Sequence, residues 1–242
     1  QTLLAKAAHF TITYDANRGY RGTELQFRNM HRPHMRAFYA SWICCFTSCF
    51  VQFSQAPLLP AIAESLQLSK RDVWYTNVWM VVGGIPVRFL LGPLCDKYGA
   101  RSIMTLMLAA TALPAALTGS VAVNLTSLTI IRTIVGAMDT FVPCQYWITC
   151  HFVREVGGTA MAVAGGLGSS GSAFTQLVTG SLIFPLVRHL LHDDSDAAWR
   201  WSLTVPAVLA LVVAYCFYYY SDDYPLGNTQ EMKRAGLMME RS

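Results

Sequence analysis

The stretch Gly84-Ile-Pro-Val-Arg88-Phe-Leu-Leu-Gly92-Pro-Leu-Cys-Asp96-Lys97-Tyr-Gly99-Ala-Arg101 decides how the rest of the chain is read. Its first half closes an apolar run that starts near residue 73 and carries one charged side chain, Arg88. A helix needs about 20 apolar residues to cross a bilayer, and this run is long enough. A guanidinium is among the costliest groups to place there, so its presence requires a cause. Counting back from Asp96 at the helix end, Arg88 lies about 12 Å deep, near the middle of a hydrocarbon layer ~30 Å thick. Gly84, Arg88, Gly92 and Asp96 recur every four residues and share one helix face. The glycines leave that face open, for a close helix or for a cavity. One reading makes Arg88 a structural ion pair, or a guanidinium satisfied by backbone carbonyls. The other makes it an anion ligand, because arginine keeps its proton and its planar fork matches a flat oxyanion. The anion ligand is the expectation carried forward.

Five further apolar runs surround this one, giving approximate spans at 37–59, 73–94, 102–123, 126–148, 159–187 and 199–220. The chain is only 13% charged, with mean hydropathy +0.35, whereas soluble domains carry about 25% charged residues. Long apolar runs in lipid read as helices, since each segment must satisfy its own backbone. The expected fold is an all-α membrane protein of six transmembrane helices. Residues 1–36 form a polar N-terminal tail, 37–220 the bundle, and 221–242 the start of a central loop, both ends being loosely ordered. With the N-terminus placed in the cytoplasm, twelve of the 18 Lys and Arg fall inside. Four (Lys70, Arg71, Arg188 and Arg200) fall outside, and Arg88 and Arg132 lie within spans. Both termini are therefore expected to be cytoplasmic, in the plasma membrane. The sequon at Asn124 sits in too short a loop and reads as chance. The seven cysteines have neither metal-ligand nor disulfide-framework spacing and read as small packing residues.

The fourth run contains Arg132, Gly136 and, seven residues after the arginine, Asp139 on the same helical face. Asp139 reads either as a local partner neutralising Arg132 or as a proton-coupling carboxylate. In the fifth run Ala160, Ala164, Gly168 and Ser172 form a stripe of small residues, as at a close helix–helix seam. Phe46, Phe50 and Phe53 in the first run read as packing or lipid-facing aromatics, taken one by one.

The run from Gly92 to Arg101 fits G-x-x-x-D-[RK]-x-G-x-[RK] in full. Gly92 permits close helix approach, Asp96 can pair with basic groups or a helix N-terminus, and Lys97 and Arg101 hold the loop inside. This resembles the loop between the second and third helices of the major facilitator superfamily. Arg132-x-x-x-Gly136 resembles a second motif of that superfamily. The chain resembles one of its families further, the plant and algal nitrate/nitrite porters. Arg32-Pro-His-Met-Arg-Ala-Phe38, Ala56-Pro57-Leu-Leu-Pro60, Phe141-Val-Pro-Cys-Gln145-Tyr-Trp147 and Asp223-x-Pro225-x-Gly227-Asn228 carry that likeness in family order. The resemblance implies that Arg88 binds the substrate anion, that Phe46 flanks it, and that Gln145 contributes to the site. It extends to Gly165-Gly-Leu-Gly168-Ser169, similar to the family's A-G-W-G-N signature, with Leu167 and Ser169 departing from it. Serine lacks the reach and second donor of an amide, which touches anion selectivity and affinity and leaves the fold alone.

The implied function is proton-coupled nitrate or nitrite transport by alternating access, with the lipid bilayer and an accessory membrane protein as further partners. Such transporters pair two six-helix halves, and this chain ends after six runs. The expectation is therefore an N-terminal half or a fragment, with a second six-helix half as partner. The competing reading is a truncated, non-transporting relative that senses nitrate or modulates a full-length transporter. An enzyme is not expected: no nucleophile–base pair, metal cluster, cofactor site or phosphate loop emerges. No nucleic-acid partner is expected either.

Overall fold

The computed structural model describes Ala7 and residues 10–236. Six stretches among them are long and apolar enough to cross a membrane: His34–Ser65, Lys70–Tyr98, Ala100–Val121, Leu125–His151, Arg154–Leu190 and Ser195–Tyr220. Only the second and third are single helices. Helix α1 (His34–Phe53) runs through a tight turn at Ala56–Leu58 into α2 (Leu59–Ser65), with a proline in the first turn of each new piece. Helices α3 (Lys70–Tyr98) and α4 (Ala100–Val121) are joined by Gly99. The fourth stretch is α5 (Leu125–Ala137) and α6 (Phe141–His151), separated by three non-helical residues. The fifth comprises α7 (Arg154–Ser169), α8 (Gly171–Val178), a wide turn at Thr179–Ile183 and α9 (Phe184–Leu190). The sixth comprises α10 (Ser195–Ser202) and α11 (Thr204–Tyr220), and a short α12 (Thr229–Arg234) follows.

Local chemistry sets several of these ends. Ser69 and Asp72 cap the start of α3 reciprocally. Asn124, read as a chance sequon, is the N-cap of α5, its Oδ1 accepting the Ser127 N–H at 2.9 Å. Gly99 has φ +91°, a conformation that side chains resist, and it turns the chain between α3 and α4.

Helix α1 is central, packed on α4, α6, α7, α8 and α11, while α3 packs mainly on α5. The core is built from small and thiol side chains around Trp147, Phe38, Met104 and Leu108. The stripe expected on the fifth span is real: Ala160, Ala164 and Gly168 are buried, and a Cβ on Gly168 would lie 2.7 Å from the Cys45 sulfur. Helices α3 and α5 cross still closer. A Cβ on Gly136 would collide with the Met80 carbonyl, and one on Gly84 would stand 3.0 Å from the Gly136 carbonyl.

The tails depart from expectation, because their backbones are folded onto the helix ends. Strands β1 (Tyr14–Asp15) and β2 (Arg21–Gly22) form a hairpin turned at Gly19. Gly22 accepts from Val153 N (3.0 Å), and Tyr20 O meets the buried His34 ring at 2.7 Å. At the other end of the chain, Asp222 O accepts from the Trp147 indole (2.9 Å). Asp223 then takes the backbone N–H of Arg101 (2.9 Å) and of Thr229 (3.1 Å). Burial raises the Asp223 carboxyl above the usual carboxylate range, and these donors oppose that shift.

Candidate functional site

Helix α3 carries Asn77 and Arg88 eleven residues apart and on one face, a rise of about 16 Å. The fourth stretch answers each of them. Arg132 on α5 donates from Nη2 to Asn77 Oδ1 at 2.5 Å and to Met80 Sδ at 3.5 Å. Asp139, in the gap after α5, receives Arg88 Nε on Oδ2 at 2.6 Å. Asp139 is thus the partner of Arg88, and the expectation that it neutralises Arg132 is corrected. The shared face required an unbroken helix, and the helix stops at Ala137.

The cause of the break is Pro143. It has no N–H to give residue 139, and its ring would strike that carbonyl in a continuous helix; in the first turn of a new helix it is harmless. Asp139 lies two residues ahead of α6, its Oδ1 accepting the N–H of Phe141, the first residue of that helix, at 3.1 Å. Carbonyls freed by the break find donors elsewhere. Gln52 Nε2 on α1 reaches Gly136 O (3.0 Å) and Val135 O (3.5 Å), and Thr111 Oγ1 on α4 reaches Met138 O (3.0 Å). Gln52 and Thr111 escaped sequence reading, and a polar residue facing a proline-interrupted span is the signal that could have found them.

The Arg88–Asp139 pair is lopsided. The arginine side chain is 60% exposed on the open face of α3, while the aspartate is 7% exposed. The carboxylate holds Nε, at the root of the guanidinium, and the terminal amino groups, with no hydrogen-bond partner among the described residues, can bridge two oxygens of a flat anion. A Cβ placed on Gly92, one turn on, would meet nothing within 4 Å, so the face is open at this level, whereas at Gly84, one turn back, it closes on the Gly136 carbonyl.

Other expected residues spread out around this pair. Phe141, next to the Asp139 cap, lies against Gly165, and so does Gln145, whose Nε2 would stand 2.9 Å from a Cβ there. Gln145 donates to Met161 O at 3.3 Å, which ties α6 to α7. Gly168 faces Cys45 and is a packing residue. Ser169 is exposed at the end of α7, beside the exposed Leu167. Phe46 packs on Phe50 and Phe174, with ring centroids at 6.3 and 5.5 Å. On α1, Cys49 lies within electrostatic reach of both Arg88 and Asp139. The 92–101 stretch is the end of α3, Gly99 and the start of α4, and in it Asp96 accepts from Tyr146 OH at 2.8 Å. Lys97 lies over the Tyr98 ring and lends its carbonyl to Lys233 (2.8 Å), and Arg101 binds the carbonyls of Tyr218 and Ser221. No cluster of three metal-ligating side chains occurs among the described residues.

A chain with this architecture resembles known transporters over nearly all of its length. It is 33% identical over 218 residues to High affinity nitrate transporter 2.7 of Arabidopsis thaliana, covering 90% of this chain and 43% of that protein. It is 31% identical over 212 residues to Nitrate transporter 2.2 of Chlamydomonas reinhardtii (86% and 40%). With the Nitrate/nitrite transporter NrtP of a Picosynechococcus species it shares 26% over 223 residues (85% and 42%). The chain spans less than half the length of these curated relatives. The multi-pass architecture and a match over residues 41–238 place it: the chain belongs to the Major Facilitator Superfamily.

Proposed function

We propose that this chain forms the six-helix part of a proton-coupled nitrate transporter, with nitrite as the alternative anion. The observation that carries the reading is Arg88, a largely exposed guanidinium within a helix long and apolar enough to cross a membrane, held through Nε by Asp139. Nitrate is flat and singly charged, and two of its oxygens fit the paired donors of an arginine. A second six-helix half closes over the open face, and the anion moves as the halves rock about the site. Phe141 and Gln145, which lie against Gly165, follow the segment that carries Asp139 and support the reading, and we propose that Phe46 and Ser169 border the site. Both tails lie on the cytoplasmic side of the plasma membrane, where the 92–101 stretch and the 221–234 segment are clasped together. The relatives' names support the anion, and the excess of basic residues at that end supports the orientation.

The test is uptake of isotopically labelled nitrate by the full-length protein carrying this chain, reconstituted in proteoliposomes. Arg88→Lys keeps the charge and loses the fork, and uptake falls by roughly 100-fold. Undiminished uptake in Arg88→Lys overturns the assignment of the site.

A further inference from the structure

The carboxylate already seated on Arg88 carries an inference about the kind of transport, and it rests on the anion site proposed above. We propose that Asp139 is the counter-ion of Arg88 whenever the anion is absent, so that the empty carrier can close and return. Asp139 thereby makes the protein a net transporter rather than an obligate exchanger.

The argument begins with charge. Arginine keeps its proton, so an empty site that closes around Arg88 alone would enclose an uncompensated cation. Burying such a charge is strongly unfavourable, and a carrier so built closes only when an anion is bound. It can then swap anions across the membrane and cannot accumulate them. Asp139 removes that restriction. Its Oδ2 lies 2.6 Å from Arg88 Nε, it is itself nearly buried, and the pair is neutral as it stands.

Geometry adds a second, independent element. Asp139 does not depend on Arg88 for its position, because Oδ1 is fixed by the Phe141 N–H at the start of α6. The surrounding break is held by Gln52 from α1 and Thr111 from α4. The carboxylate therefore stays beside Arg88 when an anion takes the terminal nitrogens. It weakens that anion's hold by like-charge repulsion and promotes release. The loaded site carries one surplus negative charge, which the symported proton of the proposed function offsets.

Asp139→Asn separates the two roles of the residue, since the amide oxygen can still accept from Phe141 N–H while the charge is gone. Asp139→Ser does the same with a shorter group, and Asp139→Glu keeps the charge. The full-length protein in proteoliposomes is assayed twice on the same preparation: net nitrate uptake into empty vesicles, and exchange of labelled nitrate into nitrate-loaded ones. Asp139→Asn and Asp139→Ser are expected to lower the ratio of net uptake to exchange by about 100-fold relative to wild type. Their half-saturating nitrate concentration falls, and Asp139→Glu restores net uptake. If both neutral variants keep net uptake, or lose uptake and exchange together, the counter-ion role is overturned and the nitrate site stands on its Arg88 test. If the wild type moves nitrate in neither assay, the nitrate reading fails and this inference falls with it.

Discussion

Arg132 and Arg88 are both guanidiniums within the apolar thickness of one bundle, both at the crossing of α3 with the fourth stretch, and their surroundings are opposite. Arg132 is 1% exposed, its acceptors are a neutral amide and a sulfur, and its Nε and Nη1 find no hydrogen-bond partner among the described residues. Arg88 is mostly exposed and has a full carboxylate. Burial without a charged partner marks a group locked into the structure. Exposure with a charged partner marks one that is kept ready. The open arginine is therefore the one suited to exchange its counter-ion for a ligand, even though burial alone would single out the enclosed one.

That comparison can be broken by substitution. Arg88→Met strands the nearly buried Asp139, and an uncompensated charge there lowers stability by about 3 kcal/mol, whereas Arg132→Met strands no charge and changes stability by less than about 1 kcal/mol. Thermal unfolding of the two variants in the same detergent checks the order; a larger loss for the buried arginine would reverse the lesson. Gly136→Val presses a side chain into the Met80 carbonyl at the crossing both arginines depend on, and costs about 2 kcal/mol of stability. Chemical denaturation reads that cost, and nitrate binding weakens with it. The smallest effect sharpens the picture at Arg88 alone. Gln52→Leu leaves the Gly136 carbonyl short of a donor and costs about 1 kcal/mol, seen as faster amide exchange at residues 138–141 with exchange in α3 unchanged.

The six spans were legible because length and hydropathy decide membrane crossing almost alone, and Arg88 stood out because its chemistry contradicts its neighbourhood. The partner of Arg88 was not legible. It lies 51 residues away on another element, and helical periodicity assigned Asp139 to the Arg132 face by assuming a straight helix. Pro143 held the warning, but a proline in a span is equally compatible with a bent helix satisfied by its neighbours, so the break needed the packing of Gln52 and Thr111 to be seen. The tails misled for a related reason. Their polarity reads as disorder, yet Asp223, Asn228 and the hairpin turn at Gly19 are local devices that anchor a polar segment with few apolar residues. Gly92 misled in the other direction, since its use is to leave space on a face that this chain does not fill.

The gap between Ala137 and Phe141 also has a mechanical meaning. It divides the fourth stretch into two rods with different allegiances, α5 packed on α3 and α6 on α1 and α7. Three non-helical residues, pinned by Gln52 and Thr111, join them, and Asp139 sits at the junction where any tilt would pivot. A swing of about 5° there displaces the far end of α6 by only about 1.4 Å over its ~16 Å length. Arg88 rides on one rod while its carboxylate belongs to the joint. Asp139, at the pivot, is displaced far less than the end of α6, so its hold on Arg88 survives a tilt of α6.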